Sequence, residues 1–179
     1  MANYTVTAMI NNKLVLLVFV TFLPISLISG QGLEIYLVNH NHPDFTKEYT
    51  YDHCYYCFEP HKSDLYDSAL VMESDIVTFI WEKQSITLSD EGLQKLENLT
   101  IPLQGLAAAF TINGEPIYGF WLWNIVSSVG CDRVFALIYP DTCATLKIGF
   151  GLPENFAKGN DPRFDERIKQ YLKTQELIK

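Results

Sequence analysis

Four cysteines and four histidines are the residues of this chain best suited to chemistry, and all the histidines share one stretch with two of the cysteines. His40, His42, His53 and His61 stand there among Asp44, Asp52, Glu59, Cys54 and Cys57. Imidazole together with thiolate or carboxylate is a donor set for zinc or copper. The four histidines are therefore candidate metal ligands, although their spacing matches no standard zinc finger. In the same stretch "HCYYC", His53 to Cys57, is a Cys-x-x-Cys pair beside an imidazole. A thiol acidified by such a neighbour or by a helix N-terminus can exchange disulfides. The surroundings argue against a thioredoxin-like site, because Pro60 follows closely and "FTKEYTYD" before it is not a clear buried strand.

The plainer reading of Cys54, Cys57, Cys131 and Cys143 is a pair of structural disulfides, since an even number of cysteines in an exported chain pairs in an oxidising compartment. Three pairings are open. Across the expected turn at Pro140, Tyr139 faces Cys143 better than Cys131 does, which leans the reading toward long-range bridges stapling residues 39–68 to the sheet. No catalytic residue is assigned. Ser127 and Ser128 lack the Gly-x-Ser-x-Gly elbow, and no glycine-rich phosphate loop follows a strand. Asp132, Asp141 and Asp161 read as turn or cap residues. Asn98-Leu99-Thr100 is a glycosylation sequon, relevant in a eukaryotic host.

Export is itself read from the first thirty residues, which hold one base, Lys13, then an apolar run from Leu14 to Ile25 and a small-residue exit at Ser29 and Gly30. That is the layout of a secretory signal. The run falls short of the ~20 residues a spanning helix needs, so the expectation is cleavage of residues 1–30, with membrane contact only if the segment stays. Met9 would open a more compact leader. Loss of Lys13 takes the net charge of −8 to −9. So acidic a chain is repelled by nucleic acid, and that class of partner is excluded.

Residues 31–179 are expected to form a single domain, which must position these side chains. "LEIYLV", Leu33 to Val38, alternates as a half-buried strand. Residues 39–68 form a long polar loop. "DIVTFIWE" and "SITL" are rich in β-branched and aromatic residues and read as strands. Ser89 then offers an N-cap, with Asp90 and Glu91 in the first turn and Leu93 and Leu96 on the buried side of a short helix. "LAAAFTI" and "PIYGFWLW" flank Asn113-Gly114, a pair suited to a type I′ hairpin turn. Ile117, Gly119, Trp121 and Trp123 share one face of the second strand, and Tyr118, Phe120 and Leu122 share the other. Both faces are apolar, so both must be covered, one by the helix and one by a further layer or a partner. "RVFALIY" and "ATLKIGF" form another strand pair. Asp161 and Pro162 open a terminal amphipathic helix, residues 161–179, with Phe164, Ile168, Tyr171, Leu172 and Ile178 on its apolar stripe. The fold class is α+β, an antiparallel sheet carrying one short helix and this C-terminal helix.

The order "ITLSDEGLQKL" then "AAAFTINGEPIYGFWLWNIVSS", within residues 75–128, resembles the strand, helix and hairpin unit of the periplasmic head of the protein-export component SecD. It also resembles small exported bacterial proteins built on that unit. The resemblance rests on structural residues and implies a fold and a periplasmic setting, with no catalytic role. The resulting expectation is an exported, periplasmic or secreted, non-enzymatic domain that binds a protein or peptide. Tyr118, Phe120, Trp121 and Trp123 are the candidate contacts, unless the core takes them. The alternative is a metal-binding or thiol-disulfide redox protein using residues 40–61, with zinc or copper in the first case.

Overall fold

A computed structural model describes residues 31–41, 54–138 and 145–179. The leader 1–30, His42, His53 and Cys143 lie outside the described residues. Seven strands make one sheet: β1 (Leu33–Leu37), β2 (Ile76–Ile80), β3 (Ser85–Leu88), β4 (Leu106–Ile112), β5 (Glu115–Asn124), β6 (Cys131–Ile138) and β7 (Thr145–Leu152). Their order across the sheet is β1-β4-β5-β6-β7-β3-β2. Among the described residues two α-helices accompany them, α1 (Asp90–Glu97) and α2 (Glu166–Thr174). The class is α+β.

Local chemistry accounts for most of these elements. At the β4–β5 hairpin Asn113 and Gly114 both take positive φ, 52° and 74°, the pairing that makes a type I′ turn follow the twist of its strands. The Asn113 side chain also accepts a hydrogen bond from Gly32 N at 3.0 Å, tying the turn to the start of β1. The Ser89 side chain caps α1 by accepting from Gly92 N at 3.2 Å. Gly92 costs helix propensity, and its reason is proximity: a Cβ there would stand 2.8 Å from that of Asp75. Asp75, buried beside it, pairs with Lys95 at 2.6 Å.

Three details depart from the sequence pattern. The sheet is mostly antiparallel, but β5 and β6 run parallel, Trp121 opposite Phe135 and Trp123 opposite Leu137. Only residues 125–130 join them, whereas parallel neighbours usually need a crossover of about a dozen residues or more. Asp161 and Pro162 open only a short 3-10 turn, Pro162–Phe164. The helix itself begins at Glu166, because Asp165 takes an extended conformation and caps it by accepting from Arg167 N. Ile178 lies beyond the helix, where the chain end runs beside β2: Phe79 N donates to Leu177 O at 2.8 Å and Lys179 N to Phe79 O at 2.9 Å. Finally, β1 is buried on both faces rather than one, Glu34 and Tyr36 included.

The apolar side chains divide into two clusters, as a sheet with two apolar faces requires. The larger one gathers Phe79, Phe110, Tyr118, Phe120 and Leu122 with Leu96 of α1 and Ile168 and Leu172 of α2. Ile117 packs with this cluster too, because an extra residue in β5 opposite Phe110 and Thr111 shifts the register there. The smaller cluster holds Trp121, Trp123, Ala107, Ala109, Phe135 and Cys131, and it is met by Tyr56 from outside the sheet.

Candidate functional site

The four aromatic residues expected as partner contacts are all core. Tyr118, Phe120, Trp121 and Trp123 are buried, on opposite faces of β5. What covers Trp121 and Trp123 is the chain's own segment after Cys54, so the second layer anticipated for that face comes from the cysteine-bearing loop. The Tyr56 ring stands edge-on between the two indoles, 5.1 Å from each. Phe58 approaches Trp121 at 5.5 Å and lies over Gly119, where any Cβ would meet its ring at 2.6 Å. His40 stacks on Phe58 at 4.5 Å.

Directional bonds fix this layer. Trp121 Nε1 donates to Tyr56 O at 2.9 Å. The Asp132 carboxylate, 6% exposed, accepts from Tyr55 N at 2.8 Å and from Tyr56 N at 3.0 Å. Asp132 therefore belongs to β6 and holds a distant turn, instead of serving a turn of its own. Nothing in the local pattern marks it beyond a carboxylate adjoining Cys131 at the start of an apolar strand.

Within that turn Cys54 and Cys57 form a disulfide, their Cα atoms 5.5 Å apart. The loop cysteines thus pair with each other, not with the sheet. Cys131 is a free, buried thiol, pushed up to about 12 mainly by burial, which makes it inert as a nucleophile. Of the candidate metal ligands, His40 and His61 are exposed. His61 precedes a 3-10 turn in which its backbone N donates to Asp64 at 3.0 Å. Among the described residues no group of three or more His, Cys, Asp or Glu converges as metal ligands would, and no helix is long and apolar enough to cross a membrane.

The short β5–β6 crossover leaves a cleft of about 450 Å³ at this end of the sheet, walled by Trp123, Val129, Leu137, Leu152, Pro153 and Phe156. Asn124 and Ser127 brace the crossover from within: Asn124 Oδ1 accepts from Val126 N, and Ser127 Oγ accepts from Val129 N while donating to Leu103 O. Their polar groups are thereby used on the backbone, and the apolar side chains are left outward. Val126 is 73% exposed and Phe156 47%, with Ile125 and Leu103 similarly uncovered.

Trp123 adds a polar feature to this wall. Its Nε1 is buried without a hydrogen-bond partner, in contrast to Trp121. The Cε3 and Cζ3 edge of the indole faces Gly105 beside β4, and the Tyr56 ring packs edge-on against it. A buried donor left unpaired costs about 1–3 kcal/mol, and such groups are rare enough to require a reason.

A second polar cluster is structural. Glu73 Oε2 accepts from Leu33 N at 2.8 Å and from Tyr171 OH at 2.6 Å, joining α2 to β1. The neighbouring Glu34 carboxyl is raised above the usual glutamate range by burial first and by Glu73 second, with a hydrogen bond from Tyr36 pulling the other way.

Comparisons with protein-family models, with curated proteins and with solved structures find no match to this chain.

Proposed function

We propose that this protein is an exported binding domain whose site is the cleft beside the β5–β6 crossover, and that its ligand is an extended peptide bearing an apolar side chain. The observation that carries this reading is the exposed apolar rim around a cavity of about 450 Å³ walled by Trp123. Largely apolar concavities with a few polar groups are the usual form of ligand sites. A peptide supplies an apolar side chain to fill the cavity beside the Trp123 indole. In this reading α1 and α2 pack as the covering layer of the opposite face, leaving the cleft end free. The leader-like residues 1–30 and the resemblance of residues 75–128 to the SecD periplasmic head support the exported setting.

The test is an NMR titration of the protein with a panel of short peptides, each carrying one Leu, Phe or Trp, following the indole N–H resonances. The reading expects the Trp123 resonance to move, because its indole walls the cleft, while that of Trp121 stays. Ile125→Ser and Phe156→Ser, both at exposed positions lining the cleft, should weaken binding about tenfold without changing the free spectrum, in keeping with about 1.4 kcal/mol for a lost apolar anchor. A Trp123 resonance indifferent to every peptide would reject the cleft as a binding site.

A further inference from the structure

We infer that Cys54 and Cys57 form an exchangeable disulfide, a site at which the thiols of a partner polypeptide are oxidised, and that Asp132 is the positioning residue that keeps the turn in place when the bridge is open. The inference is independent of the cleft and its ligand.

A structural disulfide does its work by joining parts of the chain that would otherwise separate. This one joins residues three apart in sequence, and so constrains only its own turn. The attachment of the turn to the sheet is carried by other groups, namely the two N–H bonds to Asp132, the Trp121 Nε1 bond to Tyr56 O, and the Tyr56 ring between two indoles. None of these passes through sulfur. Opening the bridge should therefore leave the two thiols side by side on an intact surface, ready to close again.

Access is asymmetric. Cys57 is exposed and Cys54 only half-buried, with Cys54 Sγ 3.7 Å from Asp132 Oδ1. An incoming thiolate therefore attacks Cys57 Sγ. The Cys54–Cys57 bond breaks, a mixed disulfide forms on Cys57, and Cys54 leaves with the electron pair and takes up a proton. A second thiol of the partner then attacks its own sulfur in the mixed disulfide and releases Cys57 as a thiolate, which is protonated in turn. Two partner thiols become one disulfide, and their two electrons and two protons reside on Cys54 and Cys57. Cys131, buried and held protonated, takes no part. The carboxylate beside Cys54 disfavours a second negative charge there, and the more exposed Cys57 is the sulfur that meets the partner.

The experiment equilibrates the full chain with mixtures of reduced and oxidised glutathione, traps thiols by alkylation, and maps Cys54 and Cys57 by peptide mass. The Trp121 indole resonance is followed in parallel. Expected is reversible opening and closing of the bridge with the Trp121 resonance unmoved. The same behaviour should appear in a Cys131→Ser, Cys143→Ser variant, and the peptide map of the natural chain gives the answer if that variant does not fold. A bridge that yields only in denaturant, or a Trp121 resonance lost on reduction, would show a staple and overturn the inference. For Asp132, the reading is the alkylation rate of Cys54 at neutral pH in the reduced protein. It should rise about fivefold or more in Asp132→Asn, the factor left when a like charge at that distance is screened as in water. An unchanged rate would remove Asp132 from the site.

Discussion

The two faces of the sheet are both apolar and are covered by different means. One meets α1 and α2 in a continuous cluster, with Phe79, Phe110, Tyr118 and Phe120 among helix side chains. The other meets a turn with little regular structure, held at a few points by Asp132, by Trp121 Nε1 and by the ring of Tyr56. Non-directional packing makes the first cover insensitive to any one contact. The second depends on particular atoms, so it can be loosened locally. A fold that separates stability from adjustability in this way can carry chemistry or binding on the second face without placing its core at risk.

The largest effects should come from breaking the first face. Phe120→Ala removes a fully buried ring and should cost about 3–5 kcal/mol, read in urea unfolding as a shift of the whole transition. A loss below about 1 kcal/mol would mean that the helix-covered face is not the stabilising one. On the second face Asp132→Ala leaves the Tyr55 and Tyr56 N–H groups without their acceptor. It should cost about 1–3 kcal/mol, and it should act locally. Hydrogen exchange at Tyr55 and Tyr56 is expected to accelerate while β4 and β5 keep their protection. If β5 amides accelerate equally, the two faces are one cooperative unit and the contrast fails.

Smaller again is the disulfide. Closing so short a loop restricts the unfolded chain little, and the Cys54→Ser, Cys57→Ser double variant should lose about 2 kcal/mol or less. A bridge from Cys54 to Cys131 would have closed a loop many times longer and contributed more. Thermal unfolding of the double variant distinguishes a local clasp from a staple, because a drop well beyond that value would place the disulfide among the residues that hold the layer down.

The sequence disclosed the elements better than their connections. Asn113-Gly114, Ser89 and the alternation of "PIYGFWLW" act within a few residues, so the hairpin, the first helix and the division of β5 into two apolar faces were all legible. The need for a second cover over Trp121 and Trp123 followed from that division. Its identity did not, since it depends on Asp132 reaching a turn 76 residues earlier, and no periodicity encodes such a contact. The parallel β5–β6 pair was hidden for a related reason: a crossover as short as residues 125–130 looks like an ordinary turn. The cleft is the direct product of that crossover, so it was hidden with it. At the C-terminus the expected cap, Asp161, opens only a 3-10 turn, and the helix is capped at Asp165, because the extended conformation of Asp165 is a local feature that no periodicity encodes.

The smallest expected effect concerns a carboxyl on the second face. Glu34 alternates with the residues of β1 that join the helix-covered cluster, and it is buried beside Glu73. Its raised pKa means that the folded state binds the proton more tightly than the unfolded chain does, so the ionised group works against folding at neutral pH. That penalty is relieved as pH falls through the folded value, and it is gone below the ordinary glutamate value of 4.5. Glu34→Gln should therefore raise the melting temperature slightly at pH 7, by an amount that shrinks as pH is lowered. Asp165 has the opposite sign, because its hydrogen bonds with Arg167 hold its carboxyl below the usual range, and the stability it contributes is lost as pH falls through that lowered value. Measuring the variant against the natural chain at each pH cancels Asp165 and isolates Glu34. A gain that stays constant from pH 7 to pH 4 would assign the effect to packing instead of charge. The second face would then owe its looser hold to geometry alone, with no contribution from the buried acid.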